Sequence, residues 1–278
     1  MSFLCYQGNI QPADQPLIYA DDRSYRYGDG VFETMRIYDG RILLANLHFD
    51  RLFHSLSLLQ FPPAPQINRE TLEACILDLA RRNGCLESSR VRLSFSSGRG
   101  TLGDTDVPDY IIMCEQTERP VKWNETGLRI GLYTGARKNC DMFSNLKSAS
   151  FLPYSMAARY ACAEGLDDCL VLNNLGYLAD SAISNLFLVQ GEKLLTPSLD
   201  QGCVSGVMRS WVIQKLRARG IAIEETICPV DSLDAAGEVF LTNALKGIRW
   251  VSEACGRRYG NLRTKQIWSS LISEWLAT

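Results

Sequence analysis

Lys147 stands between a turn-like run, Lys138 to Ser144, and the apolar start of a helix expected over Pro153–Glu164. A lysine among apolar neighbours loses hydration, and a desolvated amine is a nucleophile rather than a surface charge. Most lysines are simply solvated, so its meaning depends on its company. Asp180 follows Gly176-Tyr177-Leu178-Ala179 and leads into an expected strand, Ile183–Val189. There it is either a turn residue or the acidic partner that a protonated ring nitrogen needs. In Ser205-Gly206-Val207-Met208-Arg209, Ser205 can cap a helix and Gly206 lets a ligand approach the backbone. The amides of Gly206, Val207 and Met208, aided by the helix dipole, would then cradle a phosphate; an ordinary N-cap is the plainer alternative. Arg51, within His48 to Leu52, either faces solvent, pairs with Asp50 or reaches an anion. Asn243 follows the strand-like Val239 to Thr242 and either ends that strand or touches a ligand.

A nucleophilic lysine, a carboxylate for a ring nitrogen, a phosphate cradle and a distant arginine share one obvious ligand, pyridoxal 5′-phosphate. A second glycine-rich run, Gly98-Arg99-Gly100-Thr101-Leu102-Gly103, matches the dinucleotide pattern, but Asp104 to Asp109 and then another strand follow it where a helix is required. It reads instead as a hairpin loop that can carry Arg99 towards a ligand.

The elements that must position these groups can be read from patterning. Val31 to Ile37 and Arg41 to Leu44, around Asp39-Gly40, form an expected hairpin. Asn46 caps an expected helix to about Gln60, stopped by Phe61 to Pro65, and Asn68 opens a second helix that ends near Gly84. Strands are expected at Val91–Phe95 and Tyr110–Cys114. Polar Glu115 to Pro120 links to a second region with strands at Leu128–Leu132, Asp168–Leu172, Ile183–Val189, Lys193–Thr196 and Glu238–Leu241. Its helices lie near Pro153–Glu164, Gly206–Arg219 and Thr264–Leu276. The fold class is α+β or mixed α/β in two lobes: 1–115, a linker 116–120, and a larger cofactor-binding 121–278.

With 46% hydrophobic and 22% charged residues among 278, the chain has the balance of a globular enzyme rather than of a disordered tail. A net charge of −2 offers no electrostatic footprint for nucleic acid or an anionic membrane. No apolar run approaches the roughly 20 residues that span a bilayer, and no signal peptide is evident, so a cytoplasmic setting is expected. The ten cysteines form no Cys-x-x-Cys pair and read as buried apolar side chains in a reducing compartment. His48 and His54 fall on different helix faces, so no metal site is expected.

The ordered motifs Tyr27-Gly28-Asp29-Gly30-Val31-Phe32-Glu33-Thr34-Met35-Arg36, His48 to Leu52, Lys147, Gly176 to Phe187, Ser205 to Arg209 and Leu241 to Leu245 resemble the fold-type IV pyridoxal-phosphate enzymes nearly end to end. That class holds branched-chain and D-amino-acid aminotransferases and aminodeoxychorismate lyases. The resemblance implies a small and a larger domain with the cofactor between them, in a homodimer whose subunits help complete each other's pockets. It implies that Lys147 carries the cofactor covalently and that Arg51 with the amides of Val207 and Met208 holds its phosphate. Asp180 would face the pyridine nitrogen, and Gly206 and Asn243 would border the cofactor. Two departures stand out: aspartate replaces the usual glutamate at Asp180, and Phe151 and Leu152 replace the tyrosine that usually bonds the ring oxygen.

Within the class, Thr34 after Phe32-Glu33, Met208 in the phosphate loop and Thr242-Asn243-Ala244-Leu245 each resemble the lyases. The implied activity is cleavage of 4-amino-4-deoxychorismate to 4-aminobenzoate and pyruvate. Lys147 would be the base and Thr34 the group at the leaving oxygen, with Arg99, Arg92 and Tyr27 on the substrate. The alternatives are a class IV aminotransferase of branched-chain or D-amino acids, and a non-catalytic scaffold, against which intact Lys147 and Asp180 argue.

Overall fold

The computed structural model describes residues 2–104, 106–119 and 121–278. Met1, where the first expected lobe begins, Thr105 in the glycine-rich loop, and Pro120 at the close of the expected linker lie outside them. The chain forms two compact units, Met1–Pro120 with Leu146–Ser150 and Leu276–Thr278, and Val121–Asn145 with Phe151–Trp275.

The first unit runs β1 (Phe3–Tyr6), β2 (Asn9–Pro12), α1 (Arg23–Tyr27), β3 (Gly30–Tyr38), β4 (Arg41–Ile42), α2 (Ala45–Leu58), α3 (Arg69–Arg82), β5 (Ser88–Ser96) and β6 (Asp109–Gln116). Its sheet has the order β2-β1-β6-β5-β3-β4, antiparallel throughout. Strand alternation decides what the central strand β3 does. Val31, Met35 and Ile37 share a core with Phe49 and Leu52 of α2 and Leu72, Ile76 and Leu79 of α3. Phe32 and Thr34 take the opposite phase, and the ladder sets them across from Ser94 and Arg92.

Asn68 caps α3 as its type predicts, its Oδ1 accepting from Thr71 N–H at 2.9 Å. The expected cap at Asn46 is corrected. Helix α2 starts at Ala45 behind Leu44, whose φ is +56°, and Leu44 N–H donates to Thr278 Oγ1 at 3.1 Å. The start is thus tied by the far end of the chain, which no local pattern announces.

The second unit continues with β7 (Leu128–Lys138), α4 (Leu152–Ala163), β8 (Asp168–Asn173), β9 (Leu178–Ser181), β10 (Asn185–Gln190), β11 (Lys193–Pro197), α5 (Val207–Ala218), β12 (Ile223–Thr226), α6 (Ser232–Ala235), β13 (Glu238–Asn243), β14 (Gly247–Ala254), β15 (Arg257–Arg258) and α7 (Leu262–Leu276). Its sheet has the order β12-β11-β10-β13-β14-β7-β8-β9, with β15 on β14. Parallel pairs (β11–β12, β14–β7, β7–β8) mix with antiparallel ones, as the interleaved helices and hairpins require. Strand β8 is buried along its whole length. Tyr154, Ala157 and Ala161 of α4 pack on Cys169 and Val171.

The mixed α/β class read from the sequence is the class observed. All ten cysteines carry free thiols, but Cys162 and Cys255 are exposed and Cys75 and Cys140 only partly buried, so the expectation of burial fails for those four. Among the described residues, no helix is long and apolar enough to cross a membrane.

Candidate active site

In the first unit, Lys147 is pinned to β3 by its backbone. Phe32 N–H donates to Lys147 C=O at 2.9 Å, Ala149 N–H donates to Gly30 C=O at 2.8 Å, and Ser148 bridges Val31. This close approach needs Gly28, which has φ +70°; a Cβ there would sit 3.2 Å from Ser150 Cα. The Lys147 ammonium lies 4.6 Å from the centre of the Phe32 ring, and the Arg92 guanidinium lies 3.7 Å from that same ring. One aromatic ring therefore lies against two cations.

Behind this face, Glu33 points into the core. It takes two bonds from Arg51, Nε to Oε1 at 2.7 Å and Nη2 to Oε2 at 2.6 Å, and lies 2.6 Å from His48 Nδ1. Burial pushes the Glu33 carboxyl up, but Arg51 and His48 outweigh it and hold the acid at about 2. Burial lowers His48 despite the carboxylate, so a neutral imidazole donates Nδ1–H to Glu33. Its Nε2 is buried without a hydrogen-bond partner among the described residues. Arg51 is thus neither solvated nor paired with Asp50; Glu33 orients it.

A cavity of about 330 Å³ in the same unit is walled by Tyr6, Tyr19, Tyr25 and Phe95, with Arg92 and Arg99 on its lining. That size suits a small organic ligand. Arg99 is exposed, its Nε bonds Asp21 at 2.9 Å, and its guanidinium lies over Tyr19 at 4.5 Å. Arg92 is more enclosed, with Nε donating to Ser94 Oγ at 3.2 Å; desolvation by burial lowers its pKa from the ordinary guanidinium range. Thr34 lies opposite Arg92 in the ladder, one step along the strand from the cavity wall. Tyr27 is exposed, with the Arg26 guanidinium 4.8 Å from the centre of its ring, and Tyr25 lies on the cavity wall.

In the second unit, Asp180 is buried on β9, where its Oδ2 accepts from Tyr154 O–H at 2.7 Å and Val204 N–H at 2.9 Å. Lys138 Nζ is 3.7 Å from the same oxygen. Burial, ahead of the adjacent carboxylate, pushes the Tyr154 phenol far above its ordinary range, so it is a neutral donor. Reading the sequence missed Tyr154 and Lys138, because nothing local links them to Asp180.

Helix α5 is capped by Gly206, not by the expected Ser205, and no side chain closes its first turn; no acidic residue lies there either. The Val207 and Met208 amides therefore head a twelve-residue helix whose positive end is available to an anion. The glycine has a second reason: a Cβ on Gly206 would meet Asn185 Oδ1 at 1.7 Å. Asn243 folds a turn, accepting from Leu245 and Lys246 N–H and donating to Ser184 Oγ at 3.0 Å. Taken unit by unit, the oriented Arg51 and the ring-packed Lys147 of the first, and the buried Asp180 and the α5 N-terminus of the second, are the types of group that suit the phosphate, aldehyde and ring nitrogen of pyridoxal phosphate.

Asp168, beside these groups on β8, is pushed up to about 6 by burial, against bonds from Ser181 and two backbone amides. A folded value above the ordinary 3.8 means that its stabilising contribution is full below about pH 4 and lost as pH rises through 6. Two units correspond to about 3 kcal/mol. Asp168→Asn, which keeps the acceptor for the amides, is expected to be more stable than the native protein at pH 7.5, with a much smaller advantage at pH 4.5. Urea midpoints at the two values check this; an equal loss at both would contradict it.

The fold and these groups together define an enzyme of the pyridoxal-phosphate type. The family model for amino-transferase class IV matches residues 30–254, and the chain belongs to that family of pyridoxal-phosphate-dependent enzymes. It is 28% identical over 233 residues to the aminodeoxychorismate lyase of Bacillus subtilis, covering 81% of this chain and 77% of that one. It is 25% identical over 283 residues to the branched-chain-amino-acid aminotransferase of Salmonella typhimurium, covering 94% and 87%. The branched-chain aminotransferase of Thermoproteus uzoniensis, solved with norvaline, superposes with a TM-score of 0.88 at 24% identity, covering 99% and 95%. The comparisons thus carry both names at similar distances.

Proposed function

We propose that the protein is a pyridoxal-phosphate-dependent lyase that cleaves 4-amino-4-deoxychorismate to 4-aminobenzoate and pyruvate. The observation that carries this reading is the face of β3 and β5, where Phe32 lies beneath both Lys147 and Arg92 and Thr34 stands opposite Arg92. It sets a base, a hydroxyl and a carboxylate receptor along one face, beside an aromatic-walled cavity. Pyridoxal phosphate, when bound, supplies an electron sink conjugated to the substrate nitrogen. In this reading Arg51 and the amides of Val207 and Met208 would be the groups offered to its phosphate, and the Asp180 carboxylate would hold the proton on its ring nitrogen. Lys147 Nζ takes the proton from the carbon bearing nitrogen. Thr34 Oγ1 donates to the ether oxygen that departs with pyruvate, and Arg92 orients a substrate carboxylate by its guanidinium fork. Arg99, already bonded to Asp21, guards the cavity edge. The reading carries a homodimer with it, which sedimentation of the purified protein tests.

The rival reading within the family is amino-group transfer, for which the apolar cavity wall would hold an aliphatic side chain. Incubation with 4-amino-4-deoxychorismate should release 4-aminobenzoate. Conversion of the cofactor to its pyridoxamine form by a common amino acid, with no 4-aminobenzoate, would overturn the lyase reading. Thr34→Val keeps the volume and removes a donor that works harder in the transition state than in the ground state. Turnover is expected to fall about ten- to a hundredfold, one bond to a developing charge at ~1.5–3 kcal/mol, with little change in substrate binding.

A further inference from the structure

Lys138 ends β7 with its side chain only 8% exposed. Its Nζ donates to Ser144 C=O at 3.1 Å and to Gly202 C=O, lies 4.9 Å from the centre of the Tyr154 ring, and stands 3.7 Å from Asp180 Oδ2. Those partners belong to the loop that leads to Lys147, the loop that leads to α5, and the carboxylate assigned to the ring nitrogen. A buried ammonium placed against three segments of one site is costly unless each contact compensates its desolvation. Three other titratable groups in the second unit also face Asp180. Tyr154 on α4 is a neutral donor, the Cys203 thiol is pushed up to about 12 by burial, and Asp168 on β8 adds a like charge when ionised.

We propose that Lys138 is a positioning residue that keeps the buried Asp180 an anion and so sets how firmly the ring nitrogen of a bound pyridine cofactor holds its proton. This rests on the reading of Asp180 given above. A buried carboxylate whose cation is removed takes up a proton rather than remain charged. As a neutral acid, Asp180 could not stabilise a protonated ring nitrogen. The loops themselves do not depend on Lys138. Asn145 Nδ2 also donates to Leu199 and Cys203 C=O, both at 2.7 Å, and Ser205 N–H donates to Asn145 C=O at 3.0 Å. Removing the charge therefore leaves a second set of ties across the same loops.

The test reads the apoprotein, with no cofactor present. Infrared difference spectra with carboxyl-labelled aspartate, assigned by comparison with Asp180→Asn, follow the ionisation of Asp180 with pH. The native apoprotein is expected to show a carboxylate at neutral pH. Lys138→Met is expected to raise the midpoint by about one to three units, the range for losing a neighbouring opposite charge, and Lys138→Arg to restore it. In the loaded protein, Lys138→Met should shift the pH midpoint of the visible cofactor band, with covalent labelling of Lys147 unchanged. An Asp180 protonated at neutral pH in the native protein, or one whose midpoint is the same in Lys138→Met, overturns the proposal. If Lys138→Met does not fold, Lys138→Gln, which keeps a donor for the two carbonyls, is judged by the same midpoint. Failure here leaves the labelling of Lys147 intact, whereas absence of that labelling would remove the cofactor reading and leave the apoprotein titration standing.

Discussion

Lys147→Ala is expected to lower turnover by on the order of ten-thousand-fold or more, because one side chain is both the covalent anchor and the proton-moving base. A general base alone contributes roughly a hundred- to ten-thousand-fold, and loss of the anchor adds to it. The fold should survive. Lys147 is held to β3 by its backbone carbonyl and the strand bridge at Ser148, which alanine leaves in place. Phosphate contacts should persist too, so the variant should bind pyridoxal phosphate reversibly and show the absorbance of the free aldehyde. Single-turnover kinetics measure the loss, and borohydride reduction followed by peptide mapping finds the anchor. A label on the buried Lys138, or on any other lysine, would defeat the assignment.

Lys147 and Asp180 were singled out on local grounds, a change from turn chemistry to apolar periodicity; Lys147 does lie between a turn and α4, whereas Asp180 sits within β9 rather than at its edge. The glycine-rich loop was legible for the same reason, since the absence of a following helix excluded a dinucleotide site without any tertiary information. Residues that act through distant partners were not. Tyr154 is an unremarkable first-turn residue of α4 until its hydroxyl meets Asp180, twenty-six positions away. Lys138 is the last residue of a strand until folding closes two loops over it.

Capping shows the same division. Asn68 works as its type predicts, because an N-cap bond closes within three residues. Asn46 fails because Thr278 ties the start of α2 to the chain end. At Ser205 the frame moves by one, since Asn185 fills the space beside Gly206 and leaves no room for a Cβ there. No hydroxyl stands at positions 151 and 152: the Phe151 ring packs tilted at 35° against Tyr154, centroids 4.6 Å apart, and the Tyr154 hydroxyl donates to Asp180.

Glu33 carries the second large effect, and it is one of stability. The strand phase of Val31, Met35 and Ile37 turns a glutamate into the core, where only Arg51 and His48 make it tolerable. Its acid is held at about 2 against an ordinary 4.5, so the stability it contributes is present above about pH 4.5 and lost as pH falls through 2. That difference corresponds to about 3 kcal/mol. Glu33→Gln keeps the volume but removes the carboxylate that Arg51 and His48 share and turns an amide N–H₂ towards donors. The expected cost is ~3–5 kcal/mol, the usual penalty for breaking one side of a buried pair, read from urea midpoints at pH 7. Adding Arg51→Met should recover much of the loss, because it removes the cation that the carboxylate faced. The same double variant should bind pyridoxal phosphate poorly if Arg51 contacts its phosphate, which separates the two roles of that arginine. A Glu33→Gln protein as stable as the native one would mean that the triad holds neither the strand nor the arginine in place.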